Sequence, residues 1–356
     1  MEPRLIFATL ILTVSDIMFA QSVDCMKGLS FMDEFDLIRR ITPKETHQRS
    51  LVMGIGDDAS VYQPHSHCEE VVCVDTMVEH VHFRFDFSTP FEVGFKALAV
   101  NISDIAAMGG TPKYYLVSIA IPPHGDEAIV AAFYEGMKAL ADRYYMDLIG
   151  GDTVATRSDF VITVTVIGEI PKGTACYRHS AQTGDVVFVT GELGSSAAGL
   201  SLLMNEVNAA HSIDTAFFLE RHKMPQPHIA AGLICSSFPR VTLNDVSDGL
   251  ASELNEIAEA SRVTLEIEAD QLPKHPHLPL LHKEWLEWVL FGGEDFVLTG
   301  TIPETDWKRF ETQCKKEHIQ VTRIGQVKDD RASSVILKDH DQQTILMKKG
   351  YNHFKK

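Results

Sequence analysis

The sequence predicts an α/β protein with α+β character, built as two domains. Three observations predict it. Runs rich in β-branched and aromatic residues alternate with amphipathic stretches from about residue 70 to 170. The alternation restarts after Pro171 at "GDVVFVTGELGSSAAGLSLL", which reads as strand, glycine turn and helix. A chain of 356 residues also favours two domains over one.

The first domain is expected to run from residue 32 to 170. "MDEFDLIRRI", from Met32, reads as its opening amphipathic helix. "VVCVDTMV" is a strand. "PFEVGFKALAVNISDIAAMG" is a helix, with Phe95, Leu98, Ile102 and Ile105 at helical spacing and Gly109-Gly110 to stop it. "YYLVSIAIP" is a strand, "DEAIVAAFYEGMKALADRYY" a second amphipathic helix, and "FVITVTVIGEI" a long strand that needs cover on its faces and edge.

The second domain, 171–356, continues with "RVTLNDV" as a strand and "SDGLASELNEIAEAS" as a helix. Leu250, Leu254, Ile257 and Ala258 give that helix one apolar face, and Ser247 or Asp248 suits its N-cap. "TLEIEA", "DFVLTGTI" and "SSVILKD" are further strands. Residues 1–31 read as a mis-started or non-native extension. The apolar "LIFATLILTV" is too short to span a membrane. It is a poor export signal, because Glu2 offsets Arg4 and no clear cleavage site follows.

Composition narrows the function. The net charge of -17, with no basic stripe, argues against nucleic acid. It leaves open a small phosphorylated substrate contacted through cations. The six cysteines form no C-x-x-C pair and read as reduced thiols of a cytoplasmic protein. The 16 histidines include no H-E-x-x-H, so a zinc site is not expected. No membrane partner is expected either.

Short acidic motifs recur at apolar boundaries. Asp57 and Asp58 in "GIGDDASV" are either a turn or ligands. Asp245 and Asp248 in "NDVSDGL" are either a cap and a turn or a pair near one cation. Asp104 lies inside a helical pattern, where Asp is a poor former. Lys96 shares its face, as part of a solvated stripe or of a phosphate-plus-metal pair. "LIGGDT" places Asp152 just after an apolar strand, and Gly150 and Gly151 would allow close approach of a phosphate. "GELGSSAAGL" offers open N–H groups for an anion at a helix start. His80 and His82 alternate, as on one strand face. In "FGGEDFVL" a tight turn explains the glycines but not Glu294 and Asp295. If the motifs converge, hard cations must neutralise them, and Mg²⁺ works with carboxylates and substrate phosphates.

The ordered set "GIGDDASV", "VDTMVEHVHF", "FKALAVNISDIAAMGGTP", "LIGGDT", "VFVTGELGSSAAGLSLL", "DVSDGL", "GGEDF" and "KKGYNHF" resembles the thiamine-monophosphate kinase family, from about Met32 to Phe354. The resemblance implies the two-domain aminoimidazole ribonucleotide synthetase-like fold, with the N-terminal domain dimerising through its sheet. It implies ATP-dependent phosphorylation of thiamine monophosphate to thiamine diphosphate, in line and without a phosphoenzyme. Several Mg²⁺ ions would be held by Asp57, Asp58, Asp75, Asp104, Asp152, Asp245 and Asp248. Gly151, Asp152, Arg178 and Ser247 would contact ATP, and His82 and Glu294 the acceptor. Asp104, Asp152 and Arg178 would carry the catalysis, the guanidinium meeting phosphate charge. Cys73 and Val74 stand where the family often has Ser or Thr, Phe296 where Tyr is common, and Lys348 where an aromatic is common. The alternatives are a ring-closing ligase of the same superfamily or a non-catalytic binder of thiamine phosphates. Asp147, outside the motifs, is expected to tolerate Asn.

Overall fold

The computed structural model describes residues 34–210, 213–329 and 332–350. The 1–31 extension and the "YNHF" end of the tail motif lie outside the described residues.

The first sheet holds β3 (Cys68–Val78), β4 (Thr111–Ile121), β5 (Asp147–Ala155) and β6 (Val161–Pro171), in the order β3-β6-β4-β5. The β3–β6 and β6–β4 pairs are antiparallel and β4–β5 is parallel. The long strand "FVITVTVIGEI" is therefore central, and its edges are already paired; β3 and β5 carry the free edges. The short pair β1 (Leu51–Met53) and β2 (Val61–Tyr62) precedes this sheet.

Helix α1 (Glu34–Ile41) opens the described chain, followed by α2 (Pro90–Ala107) and α3 (Glu127–Ala141). A reciprocal capping box starts α2: Thr89 Oγ1 accepts the Glu92 N–H at 3.2 Å, and Glu92 Oε2 accepts the Thr89 N–H at 2.7 Å. Asp126 caps α3 by accepting the Ile129 N–H. The two helices meet through Gly94 and Gly136. A Cβ on either would lie 2.0 Å from a carbonyl oxygen of the other helix.

The second sheet runs in the order β13-β12-β9-β11-β7-β10-β8. Its strands are β7 (Val186–Thr190), β8 (Thr242–Asp245), β9 (Thr264–Glu268), β10 (Leu298–Ile302), β11 (Val321–Lys328), β12 (Val335–Asp339) and β13 (Gln342–Leu346). The helices of this half are α4 (Ser195–Leu203), α5 (Thr215–Lys223), α6 (Ile229–Ser236), α7 (Leu250–Ser261), α8 (Leu278–Leu281), α9 (Trp285–Phe291) and α10 (Glu304–Lys316). Strand alternation sends Val186 and Phe188 to one face, and Val187 and Val189 to the other. The first face shares a continuous core with Leu98 and Ile102 of α2. The second packs on Leu250, Leu254 and Ile257 of α7.

Helix α2 is thus buried between the two sheets, with Lys96, Asn101 and Ser103 as buried as its apolar residues. The solvated-stripe reading of Lys96 is overturned, since the residue is 4% exposed. Two further expectations are corrected. Strand β3 ends at Val78, so His80 and His82 lie in the turn beyond it and share no strand face; His80 takes a φ of 64°. Strand β5 continues through Ala155, so Asp152 sits within the strand rather than after it. Among the described residues, no helix is long and apolar enough to cross a membrane.

Candidate active site

Three of the predicted aspartates meet where α2 passes between the sheets. Asp75 comes from β3, Asp104 from the last turns of α2 and Asp245 from the end of β8. Asp75 and Asp104 share a hydrogen bond, and Ser103 Oγ donates to Asp245 Oδ2 at 2.8 Å. Burial, then the charges of Asp245 and Asp75, push Asp104 up to about 8. Burial also raises Asp245, to about 6, with Asp75 adding to the rise and Arg178 opposing it. Asp75 rises through burial as well. Oxygen donors crowded until they retain protons suit hard cations shared with phosphate oxygens. Among the described residues, the one set of three His, Asp or Glu ligand atoms mutually within 4.8 Å is Glu79, His80 and Asp159. The predicted aspartates are spread more widely than a one-ion cage.

Arg178 stands beside this cluster. Its Nε donates to Asn244 Oδ1 at 3.1 Å, and its Nη1 pairs with Glu256 at 3.1 Å. Asn244 and Asp245 are neighbours on β8, so the guanidinium is held next to the acidic centre.

The loop after β8 departs from the expected cap. Gly249, not Ser247 or Asp248, is the N-cap residue of α7, and its φ is 108°. Glu253, one turn into α7, organises the loop instead. Its Oε1 accepts the Ser247 hydroxyl at 3.3 Å and the Asp248 N–H at 3.1 Å. Its Oε2 accepts from Asn244 Nδ2. Burial, then the charge of Asp245, raises Glu253 to about 8. Sequence reasoning missed this residue, although a glutamate beside Leu250, Leu254 and Ile257 on an apolar face was a signal. The tail returns here: a Cβ on Gly350 would lie 2.1 Å from the Asp248 carbonyl oxygen. Lys348 pairs with Glu259 at 2.7 Å, and Lys349 sits over the Phe291 ring.

The "GGEDF" puzzle resolves into two contacts. Glu294, at φ 66°, places one carboxylate oxygen 2.9 Å from Lys96 Nζ and the other 3.4 Å from His222 Nδ1. Burial alone would raise this carboxyl, but the charge of Lys96 is the largest of the effects that outweigh it and hold it low. Lys96 therefore partners Glu294 across the sheets rather than forming a unit with Asp104. Asp295 accepts the N–H groups of Gly194 and Ser196, at 2.6 and 3.0 Å. The anion that the "GELGSSAAGL" turn was expected to bind is this carboxylate, and those two N–H groups are not open. His82 follows the end of β3, where its Nδ1 accepts the Val78 N–H at 2.9 Å.

Other predicted residues lie apart in character. Asp57 and Asp58 are exposed in the turn between β1 and β2, where Asp57 Oδ1 accepts the Asp58 N–H at 2.9 Å. Asp152 is exposed on β5, in register with Ser118 of β4. Gly151 is required by the strand pairing itself, since a Cβ there would sit 2.1 Å from the Val117 carbonyl oxygen. Val74 points outward, 59% exposed, while Cys73 Sγ donates to the Asn101 carbonyl at 3.2 Å beside Asp104. Asp147 is buried and accepts the N–H groups of His47 and Gln48 at 2.6 and 2.7 Å, so it is no neutral site for Asn.

Comparison with known proteins decides the family. Residues 56–170 match the AIR synthase related protein, N-terminal domain, and residues 182–338 match the C-terminal domain. A thiamine-monophosphate kinase of Bacillus subtilis (strain 168) is 58% identical over 325 residues, covering 91% of this chain and 100% of the relative. The chain belongs to the thiamine-monophosphate kinase family. Solved structures of this kinase family superpose on it. One from Stenotrophomonas maltophilia K279a has a TM-score of 0.76 and 33% identity, covering 87% of this chain and 97% of its own. AaThiL complexed with AMPPCP and TMP has a TM-score of 0.70 and 31% identity, covering 91% and 100%. Membership of the thiamine-monophosphate kinase family makes the chain a kinase rather than a ring-closing ligase.

Proposed function

We propose that this chain transfers the γ-phosphoryl group of ATP to the phosphate of thiamine monophosphate, releasing ADP and thiamine diphosphate. The observation that carries the reading is the meeting of Asp75, Asp104 and Asp245 at the seam of the two sheets, with Glu294 held ionised nearby. It is supported by the relative solved with AMPPCP and TMP.

In this reading the functional units are residues 32–170 and 171–356. Asp75, Asp104 and Asp245 hold Mg²⁺, joined by Asp57, Asp58, Asp152 and Asp248 from the loops and strands around them. Magnesium there supplies neutralisation of the phosphate charges of both substrates. Arg178 meets the ATP phosphates, with Asp152, Gly151 and Ser247 beside them. Glu294 and His82 hold the acceptor. An oxygen of the acceptor phosphate attacks the γ-phosphorus in line, and the bond to the ADP oxygen breaks. The residues thus position and neutralise, which is most of what phosphoryl transfer asks of a protein. Incubation with Mg²⁺, ATP and thiamine monophosphate should yield thiamine diphosphate and ADP in equal amounts. ADP without thiamine diphosphate would reject the reading.

We also propose a homodimer built on the first sheet, in the cytoplasm where ATP is supplied. The support is an outward apolar face: Val72 and Val74 on β3 are 63% and 59% exposed, and Val52 and Val61 of the β1–β2 pair are exposed too. Light scattering should give twice the chain mass, and Val74→Asp should give the chain mass. A wild-type monomer at micromolar concentration would reject the dimer.

A further inference from the structure

We propose that Lys96 is a positioning residue for the acceptor, acting through Glu294 to fix the ring-binding end of the site at a set distance from the phosphate-binding end. The inference rests on the kinase reading above and adds a residue to it.

The geometry that supports it is the path of α2. Asp104, in the acidic centre, and Lys96 lie on one face of this helix, eight residues apart. At the rise of an α-helix that separation is about 12 Å along the axis. Lys96 Nζ is 2.9 Å from Glu294 Oε1, so the helix that presents Asp104 also determines where the Glu294 carboxylate stands. A rigid, buried helix is a better ruler than the loop that carries Glu294, whose own backbone is at φ 66°.

The partners of Glu294 make Lys96 the dominant hold. His222, on α5, faces the other carboxylate oxygen at 3.4 Å and also meets Ser196 Oγ at 3.1 Å. Burial and then the charge of Lys96 push His222 down to about 3, so it is neutral when the enzyme works. The ammonium of Lys96 is then the full positive charge in contact with Glu294. It is 4% exposed, and a buried cation at this position needs a specific anion. The side chain of Glu294 is 32% exposed, which leaves carboxylate surface for a ligand while Lys96 anchors it. The acceptor of the proposed reaction carries its thiazolium ring two carbons from the phosphate and a neutral aminopyrimidine at the far end. An ionised carboxylate fixed about two turns of helix from the metal-binding aspartate can accept from the amino group at that far end.

The test is steady-state kinetics on the full chain, with thiamine monophosphate and ATP varied separately. Lys96→Met is expected to raise KM for thiamine monophosphate at least about tenfold and to leave KM for ATP within about twofold. Glu294→Gln should do the same. The Lys96→Met/Glu294→Gln double variant should match Glu294→Gln alone, because the lysine acts only through the carboxylate. That comparison also covers misfolding of Lys96→Met, since the double variant leaves no unpaired buried charge. A double variant clearly worse than Glu294→Gln overturns the proposal, as does Lys96→Met that raises both KM values equally. Absence of thiamine diphosphate with the wild-type chain would instead remove the kinase reading, and this inference with it.

Discussion

Ser103 Oγ donates to Asp245 Oδ2 at 2.8 Å, and this buried bond ties α2 of the first half to β8 of the second. It holds Asp245 next to the helix that carries Asp104. The acidic centre is therefore a product of how the two halves dock, and its chemistry depends on that docking.

Asp104→Asn removes one charge from this centre at constant size. Turnover is expected to fall at least about a hundredfold, roughly 2.7 kcal/mol of barrier. The fold should survive, because burial and the charges of Asp245 and Asp75 already keep the metal-free Asp104 carboxyl protonated to about pH 8, and the amide is its neutral isostere. Glu317→Gln, at an exposed helix end, is the neutral control. Thiamine diphosphate formation across a Mg²⁺ titration, with thermal melting alongside, measures both. Normal turnover at every Mg²⁺ concentration would remove Asp104 from the metal set.

Asp147→Asn should be destabilising with little change in kcat. The wild-type carboxylate accepts two backbone N–H groups from His47 and Gln48, and an amide can accept with only one of its two ends. The expected loss is about 1–3 kcal/mol, read from urea unfolding. An unchanged midpoint would show that the segment around His47 adds nothing to global stability.

Asp295→Ala should weaken the start of α4. It strips the acceptor from Gly194 and Ser196, two donors at a helix N-terminus. Loss of such a cap costs about 1–2 kcal/mol. Hydrogen exchange should show the excess concentrated in residues 194–203. Uniform exchange across the chain would contradict a local capping role.

Stability of the metal-free protein should fall as pH rises. Burial raises Asp245 to about 6, Asp295 to about 7, and Asp104 and Glu253 to about 8. Each holds its proton to higher pH folded than unfolded, where carboxyls titrate near pH 4. In the folded state these acids are neutral below their raised values. Their contribution to stability is fully present below about pH 4 and is lost progressively from there until the pH passes the raised values, about 6 to 8. Melting temperature in chelator should therefore be lower at about pH 8.5 than at about pH 6. Added Mg²⁺ should raise it more at the higher pH, because ionised carboxylates bind cations better. A melting temperature that climbed from pH 6 to 8.5 in chelator would contradict these shifts.

Much was fixed locally and could be read without coordinates. The periodicity of "PFEVGFKALAVNISDIAA" and the Thr89–Glu92 capping box make a helix wherever the segment is placed. The alternation of "VITVTVIGEI" makes a strand. An aspartate inside that helix was a local anomaly, and the meeting with Asp75 and Asp245 accounts for it. What the sequence could not decide was partnership between distant segments. Lys96 and Asp104 share a helix face, yet Lys96 pairs with Glu294 because the second sheet docks on that face. The "GELGSSAAGL" turn offers N–H groups to an anion, and only the tertiary structure shows that Asp295 supplies it. Gly151 was read as room for a phosphate, and the pairing of β4 with β5 adds a second reason for glycine, the approach of the Val117 carbonyl. Propensity and capping act over a few residues. Ion pairs, caps from remote segments and close strand approach are set by packing between segments far apart in the chain, and packing is settled only when the whole core closes.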